Sequence, residues 1–385
     1  MVLQTSEKVA VKESDSIEYE VIRVHKLFDL DNSTLADYIA DRKCFVVISD
    51  KVYNLYGEKI AGYLEKYLRC QYVLFPLEDN ENNKNFETIQ NILYEAKKLG
   101  LGRKDIMIGI GGGIILDMVG FAASMYRRRI NYIRIPTTLI GYIDAGVGIK
   151  TGINFDGAKN FIGAFYPPEI CLNDYAFLQT LPIDELKSGF SEILKMAIVV
   201  DRHLFDLVET NYKILLEEQF RNEIGYKVMH MSIYDMVQQL STNFHEKDLM
   251  RLVDFGHTFS PFIEEYSAYR ISHGHAVGLD IAISTEIAFL MKLLDKESHD
   301  RILKIFLDVG LDIYNRETFE PDKIAQSLKK IVLHRGGNIN LVLPKELGEG
   351  IFVKNLEEIS VDLLREAFVR LEAVQEKYKD GEIWV

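Results

Sequence analysis

The apolar residues of this 385-residue chain change their spacing once, near residue 180, and no other feature limits the fold as strongly. Before that point short β-rich runs, KCFVVIS, QYVLFPL, IMIGI and YIRIPTT, alternate with stretches such as FETIQNILYEAKKLG, whose apolar residues recur at helical spacing. That alternation predicts a parallel α/β sheet. From about Pro182 the runs lengthen into DELKSGFSEILKMAIVV, EIGYKVMHMSIYDMVQQLSTNF, AVGLDIAISTEIAFLMKLL and VDLLREAFVRLEAVQEKYKD, with little strand signal. The second half is therefore expected to be all-helical. The expected division is an α/β domain over 1–180 and a helical domain over 181–385.

Composition narrows the function. With 48% hydrophobic residues a chain of this length can bury a large core. A net charge of −13 argues against a nucleic-acid partner, which needs Lys and Arg concentrated on one face. A local cluster of cations could still hold an anionic small molecule. No apolar run approaches the roughly 20 residues that cross a bilayer, and the polar start MVLQTSEKVAVKESDS has no signal-peptide pattern, so no membrane partner and a cytoplasmic location are expected. The cysteines Cys44, Cys70 and Cys171 are odd in number and form no CxxC pair. Any metal must then sit on His and carboxylate ligands.

Gly111, Gly112 and Gly113 follow the buried-strand run Ile106 to Ile110 and precede the helix-like IILDMVGFAASMY, which carries Asp117. Glycines at a strand-to-helix turn let the backbone approach a pyrophosphate, and the helix N-terminus offers unpaired N–H groups. The cluster does not match GxGxxG, and a plain tight turn is the competing reading. Asp50, at the end of an earlier apolar run, can accept ribose hydroxyls or simply form a turn. Thr137 and Thr138 after Pro136 have the same two readings.

Glu192 and Lys195 lie three apart in a helical stretch, on one face. A surface ion pair is the plain interpretation. Two histidines and a carboxylate from separate helices, His257, His273 and Glu192, would instead make a catalytic-type zinc site with positions open to substrate oxygens. Nine histidines give many accidental pairs, and a hydrogen-bonded core histidine is the alternative for each. His275, two residues beyond His273, cannot share its helical face and is read as a substrate contact.

The stretches GGGIILDMVGFAASMYRR, IPTTLIGYIDAGVGIKTGINFDGAKNFIGAFYPP, TLPIDELKSGFSEILK, DFGHTFSP and HGHAV, taken in order, resemble the dehydroquinate synthase superfamily of sugar-phosphate cyclases along nearly the whole chain. The resemblance implies a Rossmann-like NAD-binding domain followed by a helical metal-binding domain, and a homodimer. It implies zinc, with cobalt as a substitute, on Glu192, His257 and His273. It places NAD contacts on Asp50, Glu81, Lys84, Gly111, Gly112, Gly113, Asp117, Thr137, Thr138, Lys159 and Thr180. Substrate and acid–base contacts fall on Arg128, Asp144, Lys150, Asn160 and Lys195, with Lys159 shared between the two sets. The implied reaction oxidises a hydroxyl transiently, eliminates phosphate, returns the hydride and closes a ring by intramolecular aldol addition.

Departures from dehydroquinate synthase itself bear on the substrate. Pro261 stands where that enzyme has a second His, Met250 where it has Arg, and HGH with His275 where it has HGE. HRGGNINLVLP, with His334 and Arg335, replaces a lysine-rich segment. Arg251 and Arg335 are the nearest cations in sequence that could stand in for those lost. The pattern resembles the sedoheptulose 7-phosphate cyclases: HGHAV is nearer the gadusol branch, VDFGH and HRGGN nearer the valiolone branch. The favoured product is 2-epi-5-epi-valiolone, against 2-epi-valiolone, desmethyl-4-deoxygadusol or 3-dehydroquinate. A metal-dependent polyol or glycerol-phosphate dehydrogenase is the reading of another class.

Overall fold

The computed structural model describes residues 16–334 and 337–384, apart from the side chains of residues 333 and 334. Arg335 and the side chain of His334 lie outside the described residues. The first half contains strands β1 (Glu20–Val24), β2 (Cys44–Ser49), β3 (Tyr72–Leu77), β4 (Ile106–Gly111) and β5 (Asn131–Pro136), then an antiparallel hairpin of β6 (Lys150–Phe155) and β7 (Ala158–Phe165), then β8 (Ile170–Asp174). All but the hairpin form one parallel sheet in the order β1-β8-β5-β4-β2-β3. Every residue of β2 and β4 is buried, as expected of central parallel strands covered on both faces.

Helices α1 (Ala36–Ile39), α2 (Asp50–Tyr67), α3 (Phe86–Leu99) and α4 (Gly113–Met125) connect these strands. From β2 the chain moves outward to β3, whereas from β4 it moves the other way to β5, so the order reverses between β2 and β4. Their carboxyl ends, at Asp50 and at Gly111 to Gly113, flank the crevice where such sheets bind ligands.

The second half comprises α5 (Ile183–Val199), α6 (Arg202–Glu217), α7 (Glu223–Ser241), α8 (Ser260–Tyr266), α9 (His273–Leu290), α10 (Lys296–Val309), α11 (Pro321–His334) and, after an antiparallel hairpin, α12 (Val361–Lys379). That hairpin, β9 (Leu341–Glu346) and β10 (Glu349–Val353), departs from the purely helical pattern expected. The run Leu341 to Leu343 is too short to carry a period, and its buried side chains pack with α5 and α9. Helices α5 and α9 are buried on nearly all sides and lie against each other at the centre of this half. Leu139, Tyr142, Ile143 and Val147, from the loop after β5, join the same apolar cluster. The β5 loop is thereby tied to the helices that carry the charged site. Among the described residues, no helix is long and apolar enough to cross a membrane.

Candidate metal and nucleotide site

One turn of α5 sets the charged centre. Glu192 and Lys195 are both fully buried, with Lys195 Nζ 2.6 Å from Glu192 Oε2. The surface ion pair is thereby excluded. Lys195 also lies 3.9 Å from Asp144, in the wide turn Gly141–Ala145 that follows β5. His273 opens α9, and Gly274 lets that helix reach α5: a Cβ on Gly274 would fall 2.0 Å from the Ser188 carbonyl oxygen. The Gly274 N–H donates to Ser188 Oγ at 3.1 Å. Close helix contact here brings His273 Nε2 within 3.3 Å of Glu192 Oε1, and His257 Nε2 within 3.8 Å.

The other ring nitrogens are held from behind. His257 Nδ1 lies 3.0 Å from the Phe255 carbonyl, which can only accept, so Nδ1 donates and the neutral ring directs its Nε2 lone pair at Glu192. His273 Nδ1 lies 2.9 Å from Glu264 Oε1. Glu264, on α8, also pairs through Oε2 with Lys159 of β7.

Burial works against the charge of Glu192, yet Lys195 and the two imidazoles outweigh it and hold the carboxyl well below its ordinary range. Burial and the Lys195 ammonium push His257 below its ordinary value. Burial would also lower His273, but Glu192 and Glu264 prevail and raise it to about 9. This part of the site favours a positive charge.

These groups fit a zinc ion. Apart from the ion pair of Oε2 with Lys195, neither buried Glu192 oxygen has a well-formed hydrogen bond among the described residues. One potential ligand atom from each of Glu192, His257 and His273 lies within 4.8 Å of the others. Ligands at about 2.0–2.1 Å from a tetrahedral zinc stand about 3.3 Å apart, close to the separations found here. The Phe255 carbonyl and Glu264 supply the outer bonds that orient metal-binding imidazoles.

The glycine turn faces the same crevice. Helix α4 starts at Gly113 with no side-chain cap, which leaves its first N–H groups available to an anion. A Cβ on Gly112 would come within 3.1 Å of Thr138 Cγ2. Thr138 Oγ1 accepts from Gly141 N–H, and Thr137 N–H donates to the Gly111 carbonyl. Half-buried Asp50 begins α2 across the switch point. Lys84 Nζ lies 2.5 Å from Asp117 Oδ2 and also donates to Asn160. Glu81 accepts from Asn154 at 2.8 Å, and Thr180 Oγ1 meets the Tyr56 hydroxyl at 2.9 Å. Lys150 is exposed and pairs with Glu246 at 3.0 Å.

Two expected residues lie elsewhere. Helix α4 carries the chain from the glycine turn back along the sheet, over about 20 Å at 1.5 Å per residue, so exposed Arg128 stands just before β5, at the amino-terminal end of the strands in its own chain. His275 points away from His273, as its two-residue offset requires; it bonds Ser272 Oγ at 2.8 Å, and Asp184, Lys187 and Asp312 are its charged surroundings. Arg251, considered as a replacement cation, is engaged by Asp254 at 2.6 Å and by Glu246. Glu264 escaped the sequence reading because its partners are nine residues ahead and 105 back, in no local motif.

Residues 74–188 match the family model of the 3-dehydroquinate synthase N-terminal region, and residues 189–331 that of its C-terminal region. The chain is 38% identical to the 2-epi-5-epi-valiolone synthase of Streptomyces glaucescens, with 92% of this chain and 91% of that protein covered. It is 36% identical to the demethyl-4-deoxygadusol synthase of Trichormus variabilis, over 91% of this chain and 87% of that one. Among solved structures, ValA, a 2-epi-5-epi-valiolone synthase from Streptomyces hygroscopicus subsp. jinggangensis with NAD+ and Zn2+ bound, superimposes with a TM-score of 0.90 at 34% identity, covering 95% of this chain and 99% of that one. Matching models over both halves, together with a 38% identical relative along nearly the full length, make this chain a member of the 3-dehydroquinate synthase family.

Proposed function

We propose that the chain cyclises sedoheptulose 7-phosphate to 2-epi-5-epi-valiolone with loss of phosphate, using NAD+ at the glycine turn and zinc on Glu192, His257 and His273. The observation that carries this reading is the convergence of those three side chains beside buried Lys195, in a chain this similar to valiolone synthases. When bound, NAD+ supplies a reversible hydride acceptor, and zinc draws neighbouring hydroxyls together and makes one easier to oxidise.

The protein's own groups supply the rest. Glu192 contributes the negative charge, and the Phe255 carbonyl and Glu264 keep the two imidazoles aimed inward. Lys195, sealed from water against Glu192 and facing Asp144, can hold and pass a proton at a substrate oxygen. Lys150, Lys159 and Asn160, on the hairpin, offer cations and an amide donor for phosphate and enolate oxygens. Asp50, Glu81, Lys84, Asp117, Thr137, Thr138 and Thr180 complete the dinucleotide contacts in this reading. Arg128 and His275 have no part in it within one chain. A homodimer belongs to the same reading and is tested by light scattering.

Incubation with sedoheptulose 7-phosphate should release inorganic phosphate without net change in nicotinamide absorbance. Accumulation of reduced cofactor would instead identify a dehydrogenase.

A further inference from the structure

We propose that Glu264 is a positioning residue that couples metal binding to dinucleotide binding. The inference rests on the reading above, in which His273 holds zinc and Lys159 contacts NAD+.

Glu264 divides one carboxylate between the two sites. Oε1 takes the Nδ1 proton side of His273 at 2.9 Å, and Oε2 takes the Lys159 ammonium. Its side chain is only 5% exposed, and that of Lys159 26%, so solvent screens the pair weakly. The contact also joins the two halves of the molecule, because Lys159 lies on β7 and Glu264 on α8. Beside Lys159, Asn160 accepts from Lys84, which pairs with Asp117 of α4. Polar contacts thus run from the helix behind the glycine turn, through one step of β7 backbone, to Glu264, His273 and Glu192.

Occupancy at one end changes what the shared carboxylate can do at the other. When Lys159 turns toward the phosphates of a dinucleotide, Glu264 loses its cation and its charge bears on His273 alone. That makes His273 Nε2 a better donor to a metal ion. Zinc, by withdrawing electron density from His273, strengthens the His273–Glu264 bond and loosens the hold on Lys159. Each ligand should therefore tighten the other by the same factor.

The experiment measures NAD+ dissociation constants by calorimetry with zinc present and removed, in wild type, Glu264→Gln and Lys159→Gln. Zinc should tighten NAD+ about fivefold or more in wild type and less than twofold in either variant. Lys159→Gln keeps the His273–Glu264 hydrogen bond in place and decides the matter if Glu264→Gln folds poorly. A wild-type chain without coupling, or a variant that keeps it while losing affinity for both ligands equally, overturns the proposal. A wild-type chain that binds no zinc overturns instead the site reading beneath it.

Discussion

The ammonium of Lys195 lies 2.6 Å from the carboxylate of Glu192, one turn back along α5, and both side chains are sealed from solvent. Neither charge is tolerable there alone. Lys195→Met, of similar length but uncharged, removes the nearest cation from the buried carboxylate and leaves it only the His273 imidazolium at 3.3 Å, and should destabilise the metal-free protein by about 1.5–3 kcal/mol. Turnover should fall about a hundredfold or more with loss of the proton carrier. Urea unfolding in chelator and a phosphate-release assay check both. A variant within about 1 kcal/mol of wild type would show the pair to be dispensable.

Purified protein should carry stoichiometric zinc, and Glu192→Gln, His257→Ala and His273→Ala should each lose metal and turnover together. Elemental analysis beside the rate assay is sufficient. If His257→Ala kept both its zinc and a near-normal rate, the ligand assignment would be wrong.

Gly274 is where the packing sets the site's dimensions. Because an added methyl would meet the Ser188 carbonyl at 2.0 Å, Gly274→Ala must push α9 away from α5. Overpacking of this kind costs about 1–3 kcal/mol. Since His273 precedes it directly, zinc affinity should fall as well. Thermal unfolding with a zinc titration tests this; an unchanged zinc affinity would mean that the helix contact does not set the ligand spacing.

Away from the site, burial and then the neighbouring Asp201 raise Asp235 to about 6. A carboxyl whose folded value exceeds its unfolded one stabilises the fold fully below the unfolded value and loses that contribution as pH rises through the folded value. Wild type should therefore lose stability between about pH 4 and pH 6 relative to Asp235→Asn, which should be the more stable protein at pH 7. Denaturant midpoints of both across that range would show it. Parallel pH curves would contradict it.

Strands β2 to β5 were legible because KCFVVIS, QYVLFPL, IMIGI and YIRIPTT cover all or most of them; the burial of β2, β4 and nearly all of β5 leaves no need for polar alternation, and the edge strand β3 was marked by its apolar run alone. Strands β1 and β8 were not, since Glu20 pairs with Ile170 and neither segment carries a local signal of a partner so distant. The glycine turn and the Glu192–Lys195 spacing were visible as motifs. What spacing could not give was depth: i,i+3 geometry is the same on a surface helix and on α5, and only tertiary packing distinguishes a weak exposed pair from a buried one. Glu264 and Gly274 act through contacts between helices or across the two halves. No period or motif within one segment encodes such contacts.

The proposed substrate choice turns on Met250 and Pro261. Neither side chain can donate a hydrogen bond, and Arg251 is already engaged by Asp254 and Glu246. Losing two charge-assisted hydrogen bonds at about 1.5–3 kcal/mol each should disfavour a carboxylated substrate on the order of a hundredfold or more. The most direct test is to incubate the zinc- and NAD+-loaded protein separately with sedoheptulose 7-phosphate and with the carboxylated precursor of 3-dehydroquinate, and to identify the products by NMR. Resonances of 2-epi-5-epi-valiolone from the first, with little turnover of the second, are the predicted result; conversion of the second in preference to the first would contradict it and assign the chain to 3-dehydroquinate synthesis.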